Sequence, residues 1–401
     1  MNLLRRENIM SLLLDCKDKP VIKVLTGVRR SGKSTALKMF ADELAKNGVS
    51  KRQIQQYNFE DPKINAIANW REHYDRVNSK LVNGKMNYIF IDEVQELSEF
   101  QKLLNGLQII ENVDLYITGS NARLLSGELA TLLSGRYITI NVTPFSCREF
   151  FEFNKKNKHR NLIESYISGS GFPAIAGEKI QDSDFVNAYI ENIYSTVLEK
   201  DIFQRLEIRD KRDFQNIAKF IFANIGSPLS PNNITNKLAG NGIKINNKTV
   251  ERYIKALIDS YLVYEVNRFD IKGKKQLATQ EKYYVVDLGI RRHLIGQKRR
   301  DDIGHCLENV VYFELLRRGG KIWTGKSQES EIDFVVQKPM GEIEYYQVAY
   351  TAKDESTLER ELSPLKKIKD NYRKFLLTTD DFEFNSDGIE LLNIEQWLLK
   401  E

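Results

Sequence analysis

The chain is poor in the residues that cross-link or ligate. Three cysteines among 401 residues, Cys16, Cys147 and Cys306, lie far apart with no CxxC pair, which argues against a disulfide framework or a zinc-ribbon core. Four histidines, His73, His159, His293 and His305, form no metal-ligand spacing, so all seven residues are expected to be structural. Long apolar runs are missing too. The first twenty residues offer only Met10–Leu14 as an apolar patch beside Arg5, Arg6 and Glu7, too short for a signal peptide or a membrane span. The expectation is a cytoplasmic protein with no membrane partner. Hydrophobic residues at 41% and charged residues at 29% match an ordinary globular mix, and the length predicts two to four domains.

Acidic charge is scarce in one window. Between Tyr264 and Arg300 ten Lys/Arg face four Asp/Glu, a local excess larger than the +5 of the whole chain. A mildly basic chain is a weak pointer to nucleic acid, but this clustering narrows where such contact would lie.

What is present begins with a strand-like Val21–Thr26, then Gly27-Val-Arg29-Arg30-Ser31-Gly32-Lys33-Ser34-Thr35, then a helical pattern over 36–46. This fits G-x-x-x-x-G-K-[ST], in which backbone N–H groups and a helix N-terminus hold phosphate oxygens. Lys33 is expected to reach the outer phosphates of ATP, and Ser34 to ligate Mg²⁺. A second strand, Tyr88-Ile-Phe-Ile-Asp92-Glu93, ends in adjacent carboxylates, as the C-terminal edge of a parallel sheet would present them. Asp92 is then the second Mg²⁺ partner, and Glu93 the group that polarises the attacking water. A third strand runs into Gly119-Ser120-Asn121, where Asn121 is either a sensor of the γ-phosphate, a helix cap, or both. Arg136, before a strand-like 138–142, is either a surface arginine or one that reaches a neighbouring subunit's phosphate in a homo-oligomer.

These motifs, with Thr118-Gly-Ser-Asn-Ala-Arg-Leu-Leu-Ser-Gly-Glu and Gly135-Arg-Tyr before Pro144-Phe-Ser, resemble the prokaryotic AAA-type ATPase family that pairs such a core with a carboxy-terminal domain of unknown function. The resemblance implies an αβα core with nucleotide at the C-terminal strand edge, and it names no substrate.

Beyond Gly169-Ser-Gly-Phe-Pro173 a helical stretch over 184–204 is expected, its aromatic stripe belonging to a core. Helices over 214–224, 232–239 and 248–260, then strands flanking Lys272-Gly-Lys274-Lys275, follow the order of a winged helix. Asn246, Asn247, Lys248, Thr249, Arg252 and Lys255, with Lys272, Lys274 and Lys275 of the wing, could face double-stranded DNA; winged helices also dock proteins. The last third, with Glu308 on a helix, Asp333 on a strand and Gln347 two residues before Ala349, follows a PD-(D/E)xK nuclease core whose lysine is missing.

The fold expected is therefore α/β: a P-loop core with a parallel sheet over 1–155, a helical connector over 156–212, a winged helix over 213–300 and a small nuclease-like α/β domain over 301–401. The function expected is a Mg²⁺-dependent ATPase that couples nucleotide state to this tail. An ATP-gated, metal-dependent DNA nuclease and a non-hydrolysing nucleotide-controlled binder are the alternatives.

Overall fold

The strand before the phosphate loop, β1 (Ile22–Thr26), is buried along its whole length, as a central strand of a parallel sheet covered on both faces must be. It belongs to the computed structural model of the chain, which describes all residues except 1–2, 66–68, 123–134, 156–161, 178–183, 209, 241, 274, 297–301, 328–329, 382–383 and 401. Contacts divide the chain into two units, Met1–Pro144 with Asp259–Tyr261, and Phe145–Ile258 with Leu262–Glu401.

In the first unit, α1 (Glu7–Asp15), β1, α2 (Lys33–Lys46), β2 (Ile54–Asn58), α3 (Trp70–Asn78), β3 (Asn87–Asp92), α4 (Phe100–Gln108), β4 (Val113–Gly119) and β5 (Tyr137–Asn141) follow one another. The five strands pair in the order β2-β3-β4-β1-β5, all parallel. Successive residues of a strand face opposite sides, and the sequence obeys that period. Ile22, Val24, Ile89, Ile91, Leu115 and Ile117 meet Leu103, Leu104 and Leu107 of α4 on one face. Leu25, Tyr88, Phe90 and Tyr116 meet Leu37, Phe40 and Leu44 of α2 on the other. The result is an αβα sandwich. Lys23 breaks the apolar pattern of β1, and its ammonium is buried against Asp114 and the Lys19 carbonyl oxygen (2.8 Å). A buried charge is tolerable only when paired in this way.

The second unit is built on an eight-stranded mixed sheet in the order β12-β13-β11-β10-β9-β8-β6-β7. Its strands are β6 (Val263–Asp270), β7 (Lys275–Val285), β8 (Lys321–Ser327), β9 (Ser330–Gln337), β10 (Ile343–Val348), β11 (Arg373–Thr378), β12 (Phe384–Ser386) and β13 (Ile389–Asn393). The boundary expected at 300 falls inside this sheet, because β6 pairs in parallel with β8 over Arg268–Asp270. The expected helices are present at Lys211–Ala223, Pro231–Gly240 and Asn247–Asp259, the last named α5. The helix expected over 184–204 starts as Asp184–Thr196 and continues as a π-helical stretch, Val197–Phe203. The helix α6 (Ile303–Arg318) has no single apolar stripe; every residue from Cys306 to Leu315 is buried, so its polar side chains must find partners inside the fold. Asn309 does so by exchanging hydrogen bonds with the backbone of Val285 (2.8 and 3.0 Å).

All three cysteines are buried, and among the described residues none forms a disulfide. Among the described residues no helix is long and apolar enough to cross a membrane. The segment that Asn121 would cap falls almost wholly in 123–134 and, like Lys274, lies outside the described residues.

Candidate functional site

β1 lies between β4 and β5, at the point where the strand order reverses, and open parallel sheets hold ligands outside the C-terminal strand ends at such a point. The loop leaving β1 turns tightly there. Gly27 has φ 140°, and a Cβ on it would come within 2.1 Å of the Val142 carbonyl oxygen, so no larger residue fits beside the end of β5. Arg30 at φ 65° and Gly32 at φ 102° complete the curl. Gly32 is the N-cap of α2 and brings no side chain to the first-turn N–H groups, which leaves these donors for an anion. Ser31 is fully buried and its Oγ has no hydrogen-bond partner among the described residues. Lys33, also buried, donates to the carbonyl oxygens of Gly27 (2.9 Å) and Val28 (3.1 Å). Arg29 pairs with Glu60 at 3.3 Å, while Arg30, Ser34 and Thr35 are exposed. A phosphate chain fits a loop with open donors, a folded-back ammonium and an orphaned hydroxyl.

Parallel pairing brings the ends of β3 and β4 alongside. Ser34 Oγ donates to Asp92 Oδ1 at 3.0 Å across 58 residues of sequence, and Thr118 Oγ1 donates to the same oxygen at 2.5 Å. Burial raises the Asp92 carboxyl above its usual range and Glu93 adds to the rise, against the two hydroxyls that lower it. A cation beside it would relieve that cost. Glu93 is held in the left-handed region (φ 50°) with its N–H on Thr118 Oγ1 (2.8 Å), and its carboxylate accepts from Gln95 Nε2. Gln95 Nε2 also lies 3.5 Å from Ser120 Oγ, and Ser120 and Asn121 are both buried at the end of β4.

Arg136 stands elsewhere. Its carbonyl accepts from Ile22 N (2.9 Å), at the start of β1 and β5, one strand length or about 17 Å from the loop end of the sheet. Within its own subunit it is at the wrong edge for the nucleotide.

In the second unit the structure brings Glu308, Asp333 and Gln347 together. Gln347 Oε1 accepts from Asp333 N (3.4 Å), and Val348 N donates to Asp333 Oδ2 (2.9 Å). Lys282, from β7, places Nζ 2.9 Å from Glu308, 2.8 Å from Glu331 and 3.5 Å from Asp333, and is itself buried. Tyr284 adds a 2.6 Å hydrogen bond to Glu308. Burial, then Glu308, pushes the Asp333 carboxyl up to about 7 against the pull of Lys282. Burial also pushes Glu308 upward, but Lys282, His305 and Tyr284 together hold it below the usual range. Lys282, in turn, is raised because the three carboxylates outweigh its burial.

The DNA candidates divide. Lys248, Arg252 and Lys255 share the exposed stripe of α5, although Arg252 already donates to the Leu206 carbonyl. Asn246 caps that helix through Thr249 N (2.9 Å), and Asn247 bonds Asn232. Lys272 is exposed in the turn closed by Asp270, and Lys275 opens β7.

The family described as AAA domain matches residues 19–151, and the one described as a domain of unknown function (DUF8612) matches 160–301. An uncharacterized protein of Haemophilus influenzae is 36% identical over 404 residues, spanning 99% of each chain. The chain belongs to this family of AAA-domain proteins. A second family relative, an uncharacterized protein of Methanocaldococcus jannaschii, is 27% identical over 395 residues, 93% of this chain and 84% of that one. Among solved structures the Walker-type ATPase PABY2304 of Pyrococcus abyssi is similar over 73% of this chain and 96% of that chain, at 16% identity and a TM-score of 0.48.

Three residues of these sites are not among the site candidates that the sequence yields. Thr118, which bridges Asp92 and Glu93, reads there only as a strand end. Lys282 reads as one more basic residue in a charged window. Arg6, at the N-cap of α1, is buried and donates to the carbonyl oxygens of Ser31 (3.1 Å) and Thr143 (2.9 Å), clamping the phosphate loop from behind.

Proposed function

We propose that this AAA-domain protein is a Mg²⁺-dependent ATPase whose nucleotide state governs its carboxy-terminal unit. The observation that carries the reading is the 3.0 Å hydrogen bond between Ser34 and Asp92, which sets the two expected metal-binding side chains side by side at the mouth of the loop. On this reading the amides of Gly27–Thr35 cradle the phosphates of ATP, Lys33 swings from its two carbonyls to the outer phosphates, and Ser34 and Asp92 hold Mg²⁺. The metal would offset phosphate charge in the transition state. Glu93 takes the proton of the attacking water, with Gln95 as the side chain it must release, and Asn121 lies close behind as sensor. Arg136 contributes only in trans, through a homo-oligomer.

The experiment is steady-state phosphate release by the full chain, with and without double-stranded DNA, against Lys33→Ala and Glu93→Gln. Lys33→Ala should lose nucleotide binding and turnover. Glu93→Gln should still bind ATP while turnover falls by about 10² or more. Turnover of the parent no higher than that of Lys33→Ala would leave a nucleotide-controlled binder instead. Stimulation by DNA that is lost on replacing Lys248, Arg252 and Lys255 would extend the reading to a DNA-linked ATPase with a winged helix within 213–300.

Lys282 favours one further reading. An ammonium beside Glu308 and Asp333 supplies the lysine that position 349 lacks, so an ATP-gated, metal-dependent nuclease is chemically coherent. Against it, the carboxylates already converge on that ammonium, and burial beside Glu308 raises the Asp333 carboxyl well above its usual range. The leading reading is a nuclease-like fold that does not cleave. Plasmid cleavage with Mg²⁺ or Mn²⁺, abolished by Asp333→Ala, would reverse that preference.

A further inference from the structure

The first unit carries a basic cavity that the nucleotide reading does not use. It has a volume of about 520 Å³ and lies along β2, the last strand of the five-stranded sheet. Four consecutive strand residues, Ile54–Tyr57, line it. Successive residues of a strand point to opposite faces, so a cavity that touches all four runs along the strand's edge rather than over one face. On that side β2 has no strand neighbour among the described residues.

The rim is cationic. Lys51 and Arg52 stand at one end, Arg76 of α3 and Lys80 beyond it at the other, and none of the described side chains lining the cavity is acidic. Arg76 and Lys80 lie 5.9 and 5.8 Å from the ring centroid of Tyr57, whose hydroxyl is taken up by Gln55 Oε1 at 2.6 Å. Among the described residues no ion pair joins a carboxylate to any of the four cations.

We propose that this edge is a docking site for an extended acidic segment of a partner protein, which adds to the core sheet as a strand beside β2. Both features are then used: the strand edge supplies N–H and C=O groups to the incoming backbone, and the four cations meet its carboxylates. Strand rise, strand spacing and sheet thickness give roughly 160 Å³ per added residue, so the cavity holds about three residues. The same cations select against the commonest wrong occupant. A second copy of this chain meeting edge to edge would set eight cations against each other, whereas an acidic strand is attracted. A nucleic-acid strand could satisfy the cations but would leave the backbone edge unpaired, and Tyr57, 6% exposed, offers no ring face for a base.

The test titrates a fluorescein-labelled decapeptide alternating Glu and Val into the full chain without nucleotide, beside its Lys-for-Glu counterpart and a ten-nucleotide oligothymidylate. The acidic peptide should bind, weaken with salt, and slow hydrogen exchange at the amides of Ile54–Tyr57. The double variant Arg76→Glu/Lys80→Glu should weaken it at least about tenfold while ATP binding is unchanged. If that variant does not fold, Lys51→Glu/Arg52→Glu on the exposed turn makes the same demand. No binding of the acidic peptide, binding indifferent to charge reversal, or binding without slowed exchange on β2 would overturn the proposal; tighter binding of the oligothymidylate would reassign the cations to nucleic acid.

Discussion

Two buried lysines, Lys33 in the first unit and Lys282 in the second, show what decides whether a cation waits or is spent. Lys33 Nζ lies on two main-chain carbonyl oxygens, neutral acceptors that a phosphate can outbid. Lys282 Nζ, itself buried, lies among the carboxyl groups of Glu308, Glu331 and Asp333, charge-assisted partners that an incoming group is not placed to outbid. The first arrangement can respond to a ligand. The second is a fixed ion cluster, and the difference lies in the acceptors rather than in the lysine.

Replacing each lysine by methionine would break this comparison most directly. Lys282→Met leaves a buried carboxylate cluster without its cation and should cost about 3–5 kcal/mol in unfolding free energy. Lys33→Met removes two hydrogen bonds to carbonyls, roughly 1–3 kcal/mol, while abolishing nucleotide binding. Equal losses in urea unfolding would mean the two environments do not differ as described. Adding Glu308→Gln to Lys282→Met should recover part of the stability, because less uncompensated charge remains.

A pH series sharpens the contrast with a smaller effect. Asp333 is raised to about 7 in the fold against about 3.9 in an unfolded chain. The folded state therefore holds the extra proton between those values, and this group's contribution to stability falls as pH rises through them, by at most about 1.4 kcal/mol per unit. Glu308, held low, contributes in the opposite sense: its share is present above about 4 and is lost as pH falls through its folded value. Thermal unfolding of the parent should thus decline between pH 5 and 7, and Asp333→Asn should flatten that decline. Asp92, also raised, keeps some slope in both proteins. An unchanged slope in Asp333→Asn would place the proton elsewhere.

The nucleotide site was legible because its parts are contiguous. Gly27–Thr35 occupies one turn, and Asp92-Glu93 ends an apolar run, so strand, loop and carboxylate pair could be read without knowing the sheet order. What could not be read needed that order. Arg136 precedes β5 in sequence, but only parallel pairing with β1 places it at the far end of the sheet. Lys282 meets Glu308 and Asp333 across 26 and 51 residues, a meeting that depends on β7 being brought back over α6. In the same way, the hairpin of β6 and β7 reads as a local wing, while its parallel pairing with β8 is invisible to any local pattern.

Arg6 supplies the finest test of the idea that carbonyl-held cations remain available. Its acceptors are also main-chain oxygens, Ser31 and Thr143, yet its planar guanidinium spans the phosphate loop and the segment after β5 at once, a fork that an ammonium cannot reproduce. It holds the loop's carbonyl side and so keeps the N–H side turned toward the ligand. Arg6→Lys keeps the charge and loses the span; KM for ATP should rise several-fold, up to about tenfold, with kcat little changed and with only a small drop in Tm. A drop in Tm with no change in KM would make Arg6 a structural clamp alone. A fall in kcat at constant KM would mean that loop geometry matters in the transition state rather than in binding, and would move Arg6 from the phosphate cradle to the chemistry beside Glu93.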